Sequence, residues 1–266
     1  MTATVRAELR KFFTTRLWWG MAIAVFLAGV AFAVLFGILL TSDQAGVGGA
    51  NGVPTGTDEQ IVGSVYTAGL SVGYLLILTI GVMQIGSEYR HQTISSTFLA
   101  EPRRERVMLA KVITLLILGA GYGLLSLFGS VSVGALVLRL RGVDPFPSSS
   151  IIRTLALSLL VLGLWGLIGL GAGILIPNQV AALLIAVGVA WIVEPLAGFG
   201  LGFWDWGREH IAPYLPTAAT NAMVNAVQGN PDEARLEWWG GALVLAGYAV
   251  VLAGLGSWRT VRSDIT

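Results

Sequence analysis

Six apolar stretches, each long enough to cross a bilayer, decide what this chain can fold into. Five carry no charged residue: 17–42, 60–87, 112–138, 154–176 and 238–258. The sixth, 180–204, holds a single acid, Glu194. Crossing about 30 Å of hydrocarbon takes roughly 20 apolar residues of helix. A lone segment of that length satisfies its backbone polar groups in lipid only as a helix. The chain therefore reads as an all-α, polytopic membrane protein forming one transmembrane domain, 1–266. Its spans are expected at about 17–41, 62–87, 110–138, 153–176, 180–203 and 238–258.

Charged residues make up only 12% of the chain, about half the share of a typical soluble domain, and their placement orients it. Arg6, Arg10, Lys11 and Arg16 precede the first span. Arg90, Arg103, Arg104, Arg106 and Lys111 lie between the second and third, and Arg259 and Arg262 follow the last. Alternation across six spans puts these eleven basic residues on one side and the other five, Arg139, Arg141, Arg153, Arg208 and Arg235, on the opposite side. The positive-inside rule then places both termini and the 88–111 loop in the cytoplasm. The first external loop, 43–59, has no Lys or Arg and is rich in Gly. Fourteen Arg against two Lys read as a GC-rich bacterial gene, so the expected location is a bacterial plasma (inner) membrane. The 26-residue apolar run after Arg16 is too long for a signal peptide's apolar region, and the first span is expected to remain as an anchor.

Residues 3–16, ATVRAELRKFFTTR, have an amphipathic helical pattern with Val5, Leu9, Phe12 and Phe13 on one side and Arg6, Arg10 and Lys11 on or near the other. Such a helix lies flat at the interface; the alternative is a plain basic flank that sets topology. Trp18 and Trp19, like Trp238, Trp239 and Trp258, mark membrane boundaries. Small residues recur at GxxxG spacing in Gly69/Gly73, Gly119/Gly123, Gly169/Gly173 and Gly198/Gly202, a pattern that lets helices approach closely.

The chemistry the chain lacks is as informative. It has no cysteine, hence no disulfide, thiolate metal site or cysteine nucleophile. No Gly-Lys pair occurs, so there is no phosphate loop, and no HExxH helix or GxSxG elbow is present, the string Gly69-Leu70-Ser71-Val72-Gly73 lying inside an apolar span. The two histidines, His91 and His210, fall on opposite sides of the membrane and cannot share a metal. No intramembrane carboxylate pair exists beside Glu194. An enzyme, a resident cofactor, a metal site or a nucleic-acid partner is not expected of this chain.

The most informative polar segment is 86–112, GSEYRHQTISSTFLAEPRRERVMLAKV. It leaves the second span through Glu88-Tyr89-Arg90-His91, reads as a short helix over Thr93–Ala100, breaks at Pro102 and enters the third span behind Arg103 and Arg104. Gln92, Ser95, Ser96 and Glu101 offer polar contacts to a docking partner; the alternative is a solvated loop that only orients the protein. The ordered pattern Glu88, Arg90, Thr93, Ile94, Leu99, Pro102, Arg104, Lys111 resembles the post-span-two segment of ABC-2 family permeases, the membrane subunits of ATP-binding cassette exporters. The likeness extends over nearly the whole chain. It implies an N-terminal elbow helix (Arg6, Arg10, Lys11, Phe12, Phe13) and a coupling helix over 91–102 seated on an ATPase. Glu88, Arg90, His91, Thr93, Ser95, Ser96, Glu101, Arg103 and Arg104 would serve that contact. It further implies a second permease, identical or related, and two separate nucleotide-binding subunits that carry ATP and Mg.

Residues 205–237 are too polar to span, and external helices are expected over 205–229. Pro216 opens a helical pattern ended by Gly229, with Ala219, Ala222, Met223, Ala226 and Val227 on its apolar face and Thr217, Thr220, Asn221, Asn225 and Gln228 elsewhere. The family resemblance implies that this segment caps the exit path; the alternative is a plain surface helix. Glu194, followed by Pro195, sits about fifteen residues into the fifth span. It is either a path residue or an interfacial acid paired with Arg208. An apolar path suits a hydrophobic or amphipathic cargo, a drug or lipid. Two other functions fit the spans: a non-transport membrane protein such as an immunity or signalling partner, and a proton-driven secondary transporter using Glu194.

Overall fold

In a computed structural model, residues 1–42, 56–93, 103–227 and 234–262 are described, Arg104 and 257–262 by backbone alone. Every element among the described residues is helical. α1 (Thr2–Thr14) precedes α2 (Leu17–Leu40), α3 (Asp58–Thr67), α4 (Leu70–Arg90) and α5 (Arg104–Leu140). α6 (Ser150–Leu175), α7 (Gln179–Gly188) and α8 (Glu194–Gly202) follow, then α9 (Asp205–His210), α10 (Pro216–Met223) and α11 (Trp238–Arg262). α2, α3–α4, α5, α6, α7–α8 and α11 provide six helical stretches long and apolar enough to cross a membrane. This is a multi-pass membrane protein.

The second span starts four residues before the expected 62. Thr57 caps it, its hydroxyl accepting from the Gln60 amide at 3.3 Å while the Gln60 side chain accepts from the Thr57 amide at 3.1 Å. This reciprocal box satisfies two otherwise orphaned donors. The third span is also longer than expected. α5 has 37 residues, about 55 Å of helix at 1.5 Å each, so it reaches well beyond the hydrocarbon. In the fifth span Val189–Val193 adopt π turns just before Pro195. Proline has no N–H to give the carbonyl four residues back, and its ring crowds that turn, so the wider turn absorbs the misfit.

α6 is the axis of the bundle. In its most apolar stretch 72% of residues are buried, against 17% in α7–α8. α4 lies against it so closely that a Cβ on Gly81 would fall on the Gly166 carbonyl, and one on Gly169 on that of Leu78. Of the four small-residue pairs, three pack helices this way, Gly69 against Gly29 and Gly119 against Gly163 among them. Gly198 and Gly202 do not: a Cβ on Gly202 would meet nothing within 4 Å. The outward faces of α2, α7–α8 and α11 stay apolar and exposed, with Leu27, Leu184, Trp191, Phe199 and Val250 among the residues there.

Candidate functional site

At the end of the bundle where α1 lies, four charged side chains from three helices meet. Lys111, wholly buried near the start of α5, donates to Glu8 Oε2 and to Glu88 Oε1, each at 2.8 Å. Lys11 donates to Glu8 Oε1 and to the same Glu88 oxygen, also at 2.8 Å. Two acids and two lysines cancel, which is the condition under which charges are tolerated away from water. Burial by itself would push the Glu8 carboxyl up, but Lys111 and Lys11 outweigh it and hold the group below its ordinary value. Burial likewise works to lower Lys11, and its hydrogen bonds to Glu8 and Glu88 raise it instead. A cavity of about 120 Å³ adjoins the cluster, lined by Glu8, Lys11, Gln84 and Glu88. Glu88 Oε2 and both amide atoms of Gln84 are buried without a partner among the described residues.

Aromatic contacts seat α1 on the bundle. Phe12 meets Tyr122 edge-on at 6.1 Å, Phe13 meets Trp18 at 5.8 Å, and the Tyr122 hydroxyl donates to the Trp18 carbonyl at 2.8 Å. Arg6 and Arg10 are exposed, but Lys11 turns its amine inward to the acids. Glu8, buried on the packed face, is the member of the cluster that sequence reasoning missed. Its signal was an acid in helical register with Val5, Leu9 and Phe12.

The exit from α4 is a tight turn. His91 caps the helix and Gln92 takes a left-handed φ of 54°. The Thr93 amide donates to the Glu88 carbonyl at 3.0 Å and the Gln92 amide to that of Tyr89 at 3.2 Å, closing the helix end with both bonds of a Schellman motif. The expected coupling helix therefore does not begin at His91, because the left-handed residue ends the helix there. Residues 94–102, with Ser95, Ser96 and Glu101, lie outside the described residues, as does the side chain of Arg104. Arg90, His91, Thr93 and Arg103 are exposed beside the cluster, so the structure brings Glu88 together with Lys11 and leaves these four at the surface.

At the opposite end Glu194 is buried, with 5% of its surface exposed. One carboxylate oxygen, Oε1, accepts from both the amide and the hydroxyl of Thr217, the latter at 2.6 Å. It caps the first turn of α10, where unpaired amides favour an anion. Arg208 pairs with Asp205 at 3.0 Å and not with Glu194. α10 is shorter than the expected run to Gly229. It stops at Met223 because Asn225 adopts φ 51° and the Ala226 amide returns to the Asn221 carbonyl at 3.1 Å. Thr220, expected on the polar face, is buried and accepts from the Trp165 indole at 2.9 Å, while that ring stacks on Tyr74 at 4.4 Å. Pro216 opens α10 as expected, Asn221 is exposed, and Pro195 sits on the exposed face of α8.

No metal-binding group of three acids or histidines occurs among the described residues. The sequence matches no protein-family model, and no curated protein matches it.

Proposed function

We propose that this chain is the permease subunit of an ABC-type exporter in a bacterial inner membrane, with both termini and the 88–111 loop cytoplasmic. It works with a second permease, identical or related, and with separate nucleotide-binding subunits that hold ATP and Mg. One observation carries the reading: the cluster of Glu8, Lys11, Glu88 and Lys111. It ties the amphipathic N-terminal helix to both stems of the loop that a partner would push. A displacement of that loop cannot leave α1, the end of α4 and the start of α5 where they were, since separating Lys111 from Glu8 or Glu88 strands a buried charge. The ABC-2 resemblance of the loop supplies the kind of partner, and the basic asymmetry of the sequence supplies the orientation. The proposed cargo is hydrophobic or amphipathic.

Co-expression with an ATPase encoded beside it tests the assignment. Arg90→Glu, Glu101→Arg or deletion of 93–100 should weaken ATPase binding or its stimulated turnover while all six spans remain inserted. If all three leave binding and turnover unchanged, the loop is a topology signal and the coupling role is wrong. Orientation is separable. Single cysteines at Gly49 and Ser95 in this cysteine-free chain should label from opposite sides of intact cells.

A further inference from the structure

We infer that the α10 end holds a binding site for a zwitterionic head group, one carrying an ammonium and a phosphate, with Glu194 and Arg208 as its two poles. A cavity of about 200 Å³ is lined there by Glu194, Gly198, Gly202, Arg208, Thr217 and Asn221. Glu194 offers only one oxygen to the protein: Oε1 is held by Thr217, and Oε2 accepts no hydrogen bond among the described residues. Arg208 uses Nη2 on Asp205, while its Nε is buried with no partner. A free oxygen on a buried carboxylate and an unpartnered buried guanidinium N–H thus line one cavity without pairing with each other. A lone cation would suit Glu194 but confront Arg208, and a lone anion would do the reverse. A ligand with both signs satisfies both, its ammonium donating to Glu194 Oε2 and a phosphate oxygen accepting from the Arg208 guanidinium.

Two further features fit a lipid-like molecule. Gly198 and Gly202, the small-residue pair that packs no helix, line the cavity without adding a side chain to it. A second cavity of about 320 Å³ shares Thr217 and Asn221 with the first. Its lining has no charged residue; the hydroxyls of Ser64 and Thr67 and the apolar side chains of Phe36 and Leu40 suit the ester and upper-chain region of an amphiphile. That the ligand is cargo rests on the exporter reading; that it binds does not.

Binding is therefore measured on the purified full-length chain alone, in nanodiscs of anionic host lipid, without any ATPase. The probes are phosphatidylethanolamine spin-labelled on its acyl chain and phosphatidylglycerol labelled the same way. Phosphatidylethanolamine should bind saturably and more tightly, and Glu194→Gln and Arg208→Gln should each weaken it about tenfold or more. Glu194→Gln keeps a carbonyl oxygen for Thr217, so α10 stays capped. Gly202→Leu fills the cavity from an open position and should abolish binding with the thermal midpoint retained, which decides the matter if a polar variant misfolds. Soluble glycerophosphoethanolamine separates the sources: competition marks a soluble zwitterion as sufficient, and its failure beside phosphatidylethanolamine binding marks the lipid. Equal binding of the two lipids, or phosphatidylethanolamine binding unchanged in Glu194→Gln and Gly202→Leu, overturns the site. Loss of ATPase coupling with this binding intact would overturn only the exporter reading.

Discussion

Both ends of the bundle bury carboxylates, and the company those carboxylates keep is opposite. At the α1 end Glu8 and Glu88 meet two lysines at 2.8 Å in a neutral cluster that joins three helices. At the α10 end Glu194 is bonded, among the described residues, only to Thr217 and leaves one oxygen free beside an open cavity. The first arrangement is a joint: its charges are consumed by each other, and its strength rests most on the buried Lys111. The second is a receptor: its charge is held in place by neutral donors and remains available. Burial of an acid therefore says little about its role until its partners are counted.

The contrast breaks most visibly at Lys111. Lys111→Met leaves Glu8 and Glu88 sharing the half-exposed Lys11, and removing one member of a buried pair costs about 3–5 kcal/mol. Among single substitutions at the two ends of the bundle, this one should lower the thermal midpoint most, read on the full chain in micelles. Replacing all four charged residues together by Leu and Met should recover much of that loss, because no charge is then stranded. If the quadruple variant is less stable than Lys111→Met, the cluster is not a charge-compensated joint.

Glu194→Ala should cost less, about 1–2 kcal/mol, the worth of a helix cap. Its signature should be local: faster amide exchange over 216–223 with the α1 end unchanged. Glu194→Gln should be nearly silent in stability. A Glu194→Ala loss as large as that of Lys111→Met would erase the distinction between joint and receptor.

Much of the fold was legible because hydropathy alone requires helices in lipid, and five of the six spans lie within a few residues of their apolar runs. What escaped lies where polar groups find one another across the chain. Lys11 read as part of the basic side of the N-terminal helix because its partner Glu88 is 77 positions away. Thr220 read as lying off the apolar face because nothing local announces the Trp165 indole. The end of α10 was placed too far on because it closes through a left-handed residue that is not Gly, Asn225. Glu194 was recognised as exceptional, but its partner was sought in a base when the structure supplies a threonine.

pH sharpens the comparison at the α1 end. Glu8 is held below its ordinary 4.5, so its contribution is full above that value and is lost as pH falls through the lower folded one. Lys11 is raised above its ordinary 10.5, so its contribution is full below that value and is lost as pH rises through the folded one. Docking of α1 should then be flat across neutral pH and fail only in acid below about 4.5 or in strong base. Amide protection of residues 5–12 against pH measures it. A sigmoid centred near neutrality would show that another group controls the joint.

The smallest expected effect separates the two lysines. The Lys11 side chain is 49% exposed, whereas that of Lys111 is fully buried, so water already solvates part of the Lys11 charge and screens its pairing. Lys11→Met should therefore cost under about 1 kcal/mol, in the range of exposed ion pairs. Methionine is unbranched and nearly as long, so the aromatic seat of α1 on Tyr122 is left undisturbed. Because both lysines share Glu8 and Glu88, their effects should not add. With Lys111 already replaced, Lys11 becomes the last counter-charge of two acids, and removing it then should cost more than it does in the native chain. Measuring Lys11→Met in both backgrounds by thermal midpoint gives the coupling directly. Equal costs in the two backgrounds would mean that the four charges act as separate pairs, and the three-helix joint would reduce to two independent contacts.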